Sequence, residues 1–132
     1  MSRETNARFL GAVGEAIAER YLVDSGLIFL ERNWRCDAGE IDLIFKSLRP
    51  SHSDSRELGA ACEFVFVEVK TRSSGRFGIG SEAITEEKYR RLHRLATLWC
   101  KARGVERRYR IDVISIDGLV LPEVTHIERV IL

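Results

Sequence analysis

Two apolar runs, each carrying charge among its strand-forming residues, constrain this chain more than any other feature. Glu40-Ile41-Asp42-Leu43-Ile44-Phe45 reads as a strand, and so does Phe64-Val65-Phe66-Val67-Glu68-Val69-Lys70. Side chains alternate between the two faces of a strand, so Glu68 and Lys70 point the same way, and Asp42 shares a face with Glu40 and Ile44. An antiparallel hairpin centred on residue 55 sets position 42 opposite position 68. Directly opposed side chains lie about 5 Å apart at Cβ. Two carboxylates and an ammonium then share one small space on an otherwise apolar sheet. Buried charge is costly unless it is paired or bound to metal. The pattern points to a divalent-cation site with a lysine beside it. The plainer alternative is a same-face ion pair between Glu68 and Lys70 at a strand end. The long intervening loop does not fix the register by itself.

The rest of the chain supplies one more helix, a second helix with clear boundaries, and further strands. Residues 5–25 read as a helix whose apolar stripe is Leu10, Val13, Ile17 and Tyr21, with Gly26 as its stop. Residues 27–35 form a first strand, and Asp37-Ala38-Gly39 turns the chain into the Asp42 strand. Residues 47–62, rich in Ser, Asp, Arg and His around Pro50, read as a mobile loop, and residues 73–80 as a second flexible one. Thr85 is the expected N-cap of a helix that runs to Arg103, with Glu86 and Glu87 in its first turn and Gly104 beyond its end. Tyr89, Leu92, Ala96 and Trp99 form its buried stripe. A strand over 109–116 follows, then an Asp117-Gly118 turn and a short edge strand or helical turn from Val124. The order α-β-β-β-α-β predicts an α/β fold, a mixed sheet flanked by helices.

At 132 residues and 45% hydrophobic, the chain is expected to fold as a single domain over 1–132 with a real core. Lys and Arg number 21 and Asp and Glu 20, so global charge says nothing about partners. Cys36, Cys62 and Cys100 show neither zinc-ligand spacing nor a disulfide framework, which suits a reducing, cytoplasmic setting. The first residues lead into a charged helix and not into a signal peptide's apolar region, and no apolar stretch is long enough to span a membrane.

Local charge is more informative. Between Lys70 and Arg110 twelve Lys and Arg face four Glu, and Lys88, Arg91 and Arg94 recur along one side of the second helix. With Arg72 and Arg76 they outline a phosphate-contacting surface next to the carboxylates. Asp42 and Glu68 suit Mg2+ (or Mn2+), which prefers one or two carboxylates with water and phosphate. The Val69 carbonyl, between Glu68 and Lys70, is a further oxygen donor. Phosphodiester cleavage would use the metal to polarise phosphate and acidify water. Lys70 would stabilise charge or accept a proton. Glu15, by periodicity alone, is a solvated surface acid, although Gly11 and Gly14 hint at close approach of something to that helix. Asp112 with Arg110 reads as a structural pair, His52, His93 and His126 as histidines without metal-ligand spacing, and Trp34 and Trp99 as core.

Gly11-Ala12-Val13-Gly14-Glu15, Arg32-Asn33-Trp34-Arg35, Gly39-Glu40-Ile41-Asp42-Leu43-Ile44 and Phe66-Val67-Glu68-Val69-Lys70-Thr71-Arg72 occur in that order. Together they resemble the YraN-like family of uncharacterised bacterial proteins, nearly end to end. That family lies in the restriction-endonuclease-like superfamily and is similar to archaeal Holliday junction resolvases. The resemblance implies a restriction-endonuclease-like sheet, metal held by Asp42 and Glu68, Lys70 assisting the attacking water, and Glu15 joining from the first helix. The loop at 47–62 is longer than the pattern leads one to expect. Three functions compete: a metal-dependent nuclease acting on DNA, branched or damaged DNA included; a nucleic-acid-binding module that does not cleave; and a protein-interaction domain whose carboxylates are mere ion pairs. Intact Asp42, Glu68 and Lys70 favour the first. The oligomeric state is open, a homodimer included.

Overall fold

The computed structural model describes residues 3–48, 62–73 and 84–131, with side chains from residue 6 onward. Helix α1 (Arg3–Asp24) leads into strands β1 (Ile28–Cys36), β2 (Gly39–Ser47) and β3 (Glu63–Arg72). Helix α2 (Glu86–Arg103) follows, then β4 (Tyr109–Asp117) and β5 (Glu123–Ile127). The strands form one sheet in the order β1-β2-β3-β4-β5. β3 and β4 are parallel, and all other neighbours are antiparallel. A short turn suffices between β1 and β2, whereas a parallel pair needs a crossover, which α2 provides. This is the expected α/β architecture, a mixed five-stranded sheet flanked by two helices, and it is compatible with a nuclease-like fold. The C-terminal segment forms the edge strand β5. Among the described residues no helix is long and apolar enough to cross a membrane. Most of the expected loop at 47–62 and of the one at 73–80, Arg76 and His52 included, lies outside the described residues.

The helices take opposite faces. Ala18 and Leu22 of α1 pack with Leu43, Phe45, Val65, Val67, Ile114 and Ile116. Leu95, Ala96, Trp99 and Cys100 of α2 pack with Ile41, Ile44 and Phe66, and Leu92 with Ile111 and Val113. Strand β3 is covered on both sides, which is why Val65-Phe66-Val67 is an unbroken apolar run. The ends of α2 follow the sequence. Thr85 accepts from the Lys88 backbone N–H, and Gly104 closes the helix at φ 66°. Trp99 is buried as expected, and Trp34 packs partly buried against the same cluster.

One stripe differs. The residues of α1 that bury fully are Gly14, Ala18 and Leu22, not Leu10, Val13, Ile17 and Tyr21. Tyr21 is 39% exposed and meets the edge of the His126 ring. Small side chains let the helix lie close to the sheet. A Cβ on Gly14 would stand 1.8 Å from Thr71 Oγ1. The larger residues therefore flank the contact and do not form it. A Cβ on Gly11 would meet nothing within 4 Å among the described residues, so the close approach belongs to Gly14 and not to Gly11.

A second difference sits at Asp42. Ile41 packs on the α2 side and Leu43 on the α1 side, although regular alternation would put both on one face. The partner strand does the same. Trp34, opposite Ile41, packs on the α2 side, while Arg32, opposite Leu43, reaches Glu19 on α1. Between them Asn33 has a positive φ of 51°. Both strands thus change face at the Asn33–Asp42 position, and Asp42 does not share a simple face with Glu40 and Ile44.

Candidate functional site

Strands β2 and β3 pair Leu43 with Val67 and Ile44 with Phe66, the register of a hairpin centred on residue 55, and the ladder ends one residue short of Asp42 and Glu68, close enough that the Glu68 charge acts on Asp42. There the Asp42 carboxylate turns toward strand β3. Its Oδ2 accepts a hydrogen bond of 2.8 Å from the Val69 N–H. Asp42 also lines an open cavity of about 590 Å³. Glu15, Val69, Lys70, Lys88 and Arg8 line the same cavity. Glu68 is only 6% exposed, and its carboxylate is paired with the Lys88 ammonium. Lys70 is exposed at the cavity wall. The plain pairing of Glu68 with Lys70 is therefore not what the fold makes; the partner of Glu68 comes from α2.

Glu15 arrives through the small-residue contact. Gly14 seats α1 against Thr71, the neighbour of Lys70, and this delivers Glu15 to the cavity beside Asp42. Asn33 then bridges two acids, donating from Nδ2 to Glu15 Oε1 at 2.7 Å and to Glu40 Oε1 at 3.0 Å. Arg35 Nε lies 3.4 Å from Glu40 Oε2. Arg8 was not singled out by sequence reasoning, and Asn33, Arg35 and Glu40 entered only within motifs, with no role assigned. The available signal was Asn33 itself, since asparagine is enriched where the backbone turns left-handed.

Burial, and then the charge of Glu68, push the Asp42 carboxyl up to about 7. The Val69 N–H works against that shift, while Glu15 and Glu40 add to it. An acid under such pressure is one that a cation would relieve. The donor set fits magnesium or manganese: two carboxylates, Asp42 and Glu68, with the Val69 carbonyl nearby. Among the described residues no three His, Cys, Asp or Glu side chains form a closed ligand cluster. Magnesium tolerates that, because it keeps several waters and takes phosphate oxygens as ligands.

The expected phosphate-contacting residues divide. Lys88 stands inside the site. Arg91 crosses Gly39 and lies 3.8 Å from Glu87. Arg94 lines a separate cavity of about 340 Å³ with Trp34, Cys36 and Leu98. Arg72 ends β3 next to the site. Elsewhere, His93 is held by the Tyr109 hydroxyl at 2.8 Å, and burial lowers its pKa. Asp112 is fully buried and bound by Arg110 Nε at 3.1 Å, His126 Nε2 at 2.8 Å and the Arg129 N–H at 2.9 Å. That pair is structural, as expected, and it includes a histidine the spacing did not reveal.

A family model described as "Uncharacterised protein family UPF0102" matches residues 14–116, a span that includes Glu15, Asp42, Glu68, Lys70 and Lys88. The chain is 49% identical over 108 residues to a UPF0102 protein of a Nocardioides species, covering 81% of this chain and 77% of that one. It is 46% identical over 125 residues to a UPF0102 protein of a Mycobacterium species (strain KMS), covering 92% and 84%. It is 42% identical over 129 residues to a UPF0102 protein of Mycobacterium tuberculosis, covering 92% and 91%.

Proposed function

This chain belongs to the uncharacterised protein family UPF0102, and we propose that it is a metal-dependent nuclease that hydrolyses phosphodiester bonds in DNA, branched or damaged DNA included. The observation that carries this reading is the Asp42 carboxyl. Burial and the charges of Glu68, Glu15 and Glu40 raise it to about 7, and it opens on a cavity that also holds Lys70. A structural ion pair would neutralise such an acid. Here burial and three neighbouring acids outweigh its backbone hydrogen bond, at the rim of an open space that Lys70 and Lys88 also line. Asp42 and Glu68 would hold magnesium or manganese, with the Val69 carbonyl as a third donor. When bound, the metal supplies Lewis-acid polarisation of the phosphate and an acidic water.

The chain's own groups do the rest. Lys70 stands at the cavity wall, placed to stabilise charge that develops on the phosphate oxygens or to take a proton from the nucleophile. Glu15, fixed by Asn33, orients water on the α1 side. Arg72 and the basic face of α2 hold the backbone of the nucleic acid without reading its sequence. The second reading, a nucleic-acid-binding module that does not cleave, is favoured by one observation: the described residues hold no closed three-ligand cluster. The deciding test incubates labelled linear, single-stranded and four-way DNA with the protein in magnesium or manganese. Cleavage by wild type that vanishes in Asp42→Asn and Glu68→Gln supports the nuclease. Wild type that binds every form and cuts none, with either metal, leaves the binding module.

A further inference from the structure

Glu68 has two claimants. It is the buried carboxylate of the proposed metal site, yet its charge is already met by Lys88. The two uses conflict. An ammonium in contact with a carboxylate already meets the charge a divalent cation would bind, and two cations in that space repel. Lys88 does not belong to the strand that carries Glu68. It rises from the first turn of α2, where its backbone N–H is tied to Thr85 Oγ1 at 3.2 Å. Its backbone is thus fixed while its side chain stays 39% exposed and lines the cavity that Asp42 and Lys70 share. Lysine suits such a post: a compact charge on a four-carbon stem that can change partner without moving the helix.

We propose that Lys88 is a resident substitute for the metal, holding Glu68 in place while the site is empty and passing to a substrate phosphate when a divalent cation takes Glu68 over. This rests on the reading of Asp42 and Glu68 as metal-holding residues. It makes metal and nucleic acid cooperative. Metal releases an ammonium at the cavity rim, the ammonium gains a phosphate contact, and by linkage nucleic acid strengthens metal binding by the same factor. Without metal, Lys88 is withheld from the backbone of the nucleic acid.

The test measures Mn2+ affinity by calorimetry, and duplex DNA affinity by fluorescence anisotropy with Ca2+ or with chelator, for wild type and Lys88→Gln. Removing the competitor should tighten Mn2+ binding about tenfold, a typical coupling between two sites. The gain in DNA affinity that Ca2+ gives wild type should shrink in Lys88→Gln. Lys88→Arg is the second variant, because its fork grips Glu68 more firmly; it should bind Mn2+ more weakly than wild type. A folded Lys88→Gln with unchanged or weaker Mn2+ affinity overturns the proposal, as does Lys88→Arg binding Mn2+ more tightly. Wild type that binds no Mn2+, or whose binding survives Asp42→Asn, overturns the metal site itself and the role of Lys88 with it.

Discussion

At the scale of single residues, Asp42 is the most revealing group. Its folded pKa of about 7 exceeds the ordinary 3.8, so the native state keeps a proton that the unfolded chain gives up. The contribution of Asp42 to the stability of the metal-free protein should therefore be full below about pH 4, decline as pH rises toward 7, and level off above. Asp42→Asn should remove that decline. Urea unfolding of both proteins from about pH 4.5 to 8.5, with chelator present, reads the difference. His93 acts in the opposite sense below its usual range, and subtracting the variant's curve cancels it. In the cleavage assay Asp42→Asn and Glu68→Gln should lose activity with DNA binding intact or tighter, since each removes negative charge facing phosphate. Lys70→Ala should lose activity while Mn2+ still binds. Gly14→Ala tests how the helix is seated. The added methyl collides with Thr71, and overpacking of this kind costs about 1–3 kcal/mol. Thr71→Ala in the same chain should recover part of it, measured by the urea midpoint.

At the scale of elements, α2 has two duties. Its buried face, Leu92, Leu95, Ala96, Trp99 and Cys100, fixes it to the sheet, and its basic side is the proposed contact with the substrate. Arg91→Ala should lower the salt slope of DNA binding by about one unit and leave cleavage chemistry intact. Binding that ignores both salt and this change would take α2 out of the interface. The elements were legible where local chemistry decides them: Thr85 and Gly104 bound α2, and alternating or continuous apolar runs mark β2 and β3. The antiparallel register of β2 against β3 was legible from the symmetry of the two runs. What could not be read was set by contacts distant in sequence. The contact face of α1 is chosen by how close the helix lies to Thr71, so small residues won over large ones. The change of face at Asp42 coincides with the left-handed backbone of Asn33, a residue of another strand. Lys88 meets Glu68 from twenty positions away, across a crossover whose path the sequence does not specify.

At the scale of the whole molecule, two buried acids receive opposite treatment. Asp112 lies on β4 in the same row as Val67 and Leu43, and both of its oxygens are met, by Arg110, His126 and the Arg129 N–H. Asp42, one row away on β2, receives one N–H and three acidic neighbours. The first arrangement holds the structure together and the second leaves electrostatic strain for a ligand to relieve. Asp112→Asn should therefore destabilise by about 3–5 kcal/mol, as removing one member of a buried charged set does, without weakening Mn2+ binding to whatever remains folded. Chemical denaturation and calorimetry on the same preparation separate the two effects.

The pairing of β2 with β3 also splits the site along the chain. Glu15 and Asp42 come from before residue 48, and Glu68, Lys70 and Lys88 from after residue 62. A chain emerging from the ribosome holds, through its first third, two acids of the set and neither lysine. Neither portion by itself contains the whole group. If the protein cuts nucleic acid, it cannot do so as a nascent fragment or as a proteolytic remnant; completing the sheet is what arms it, and a cell that makes it carries no half-built scissors.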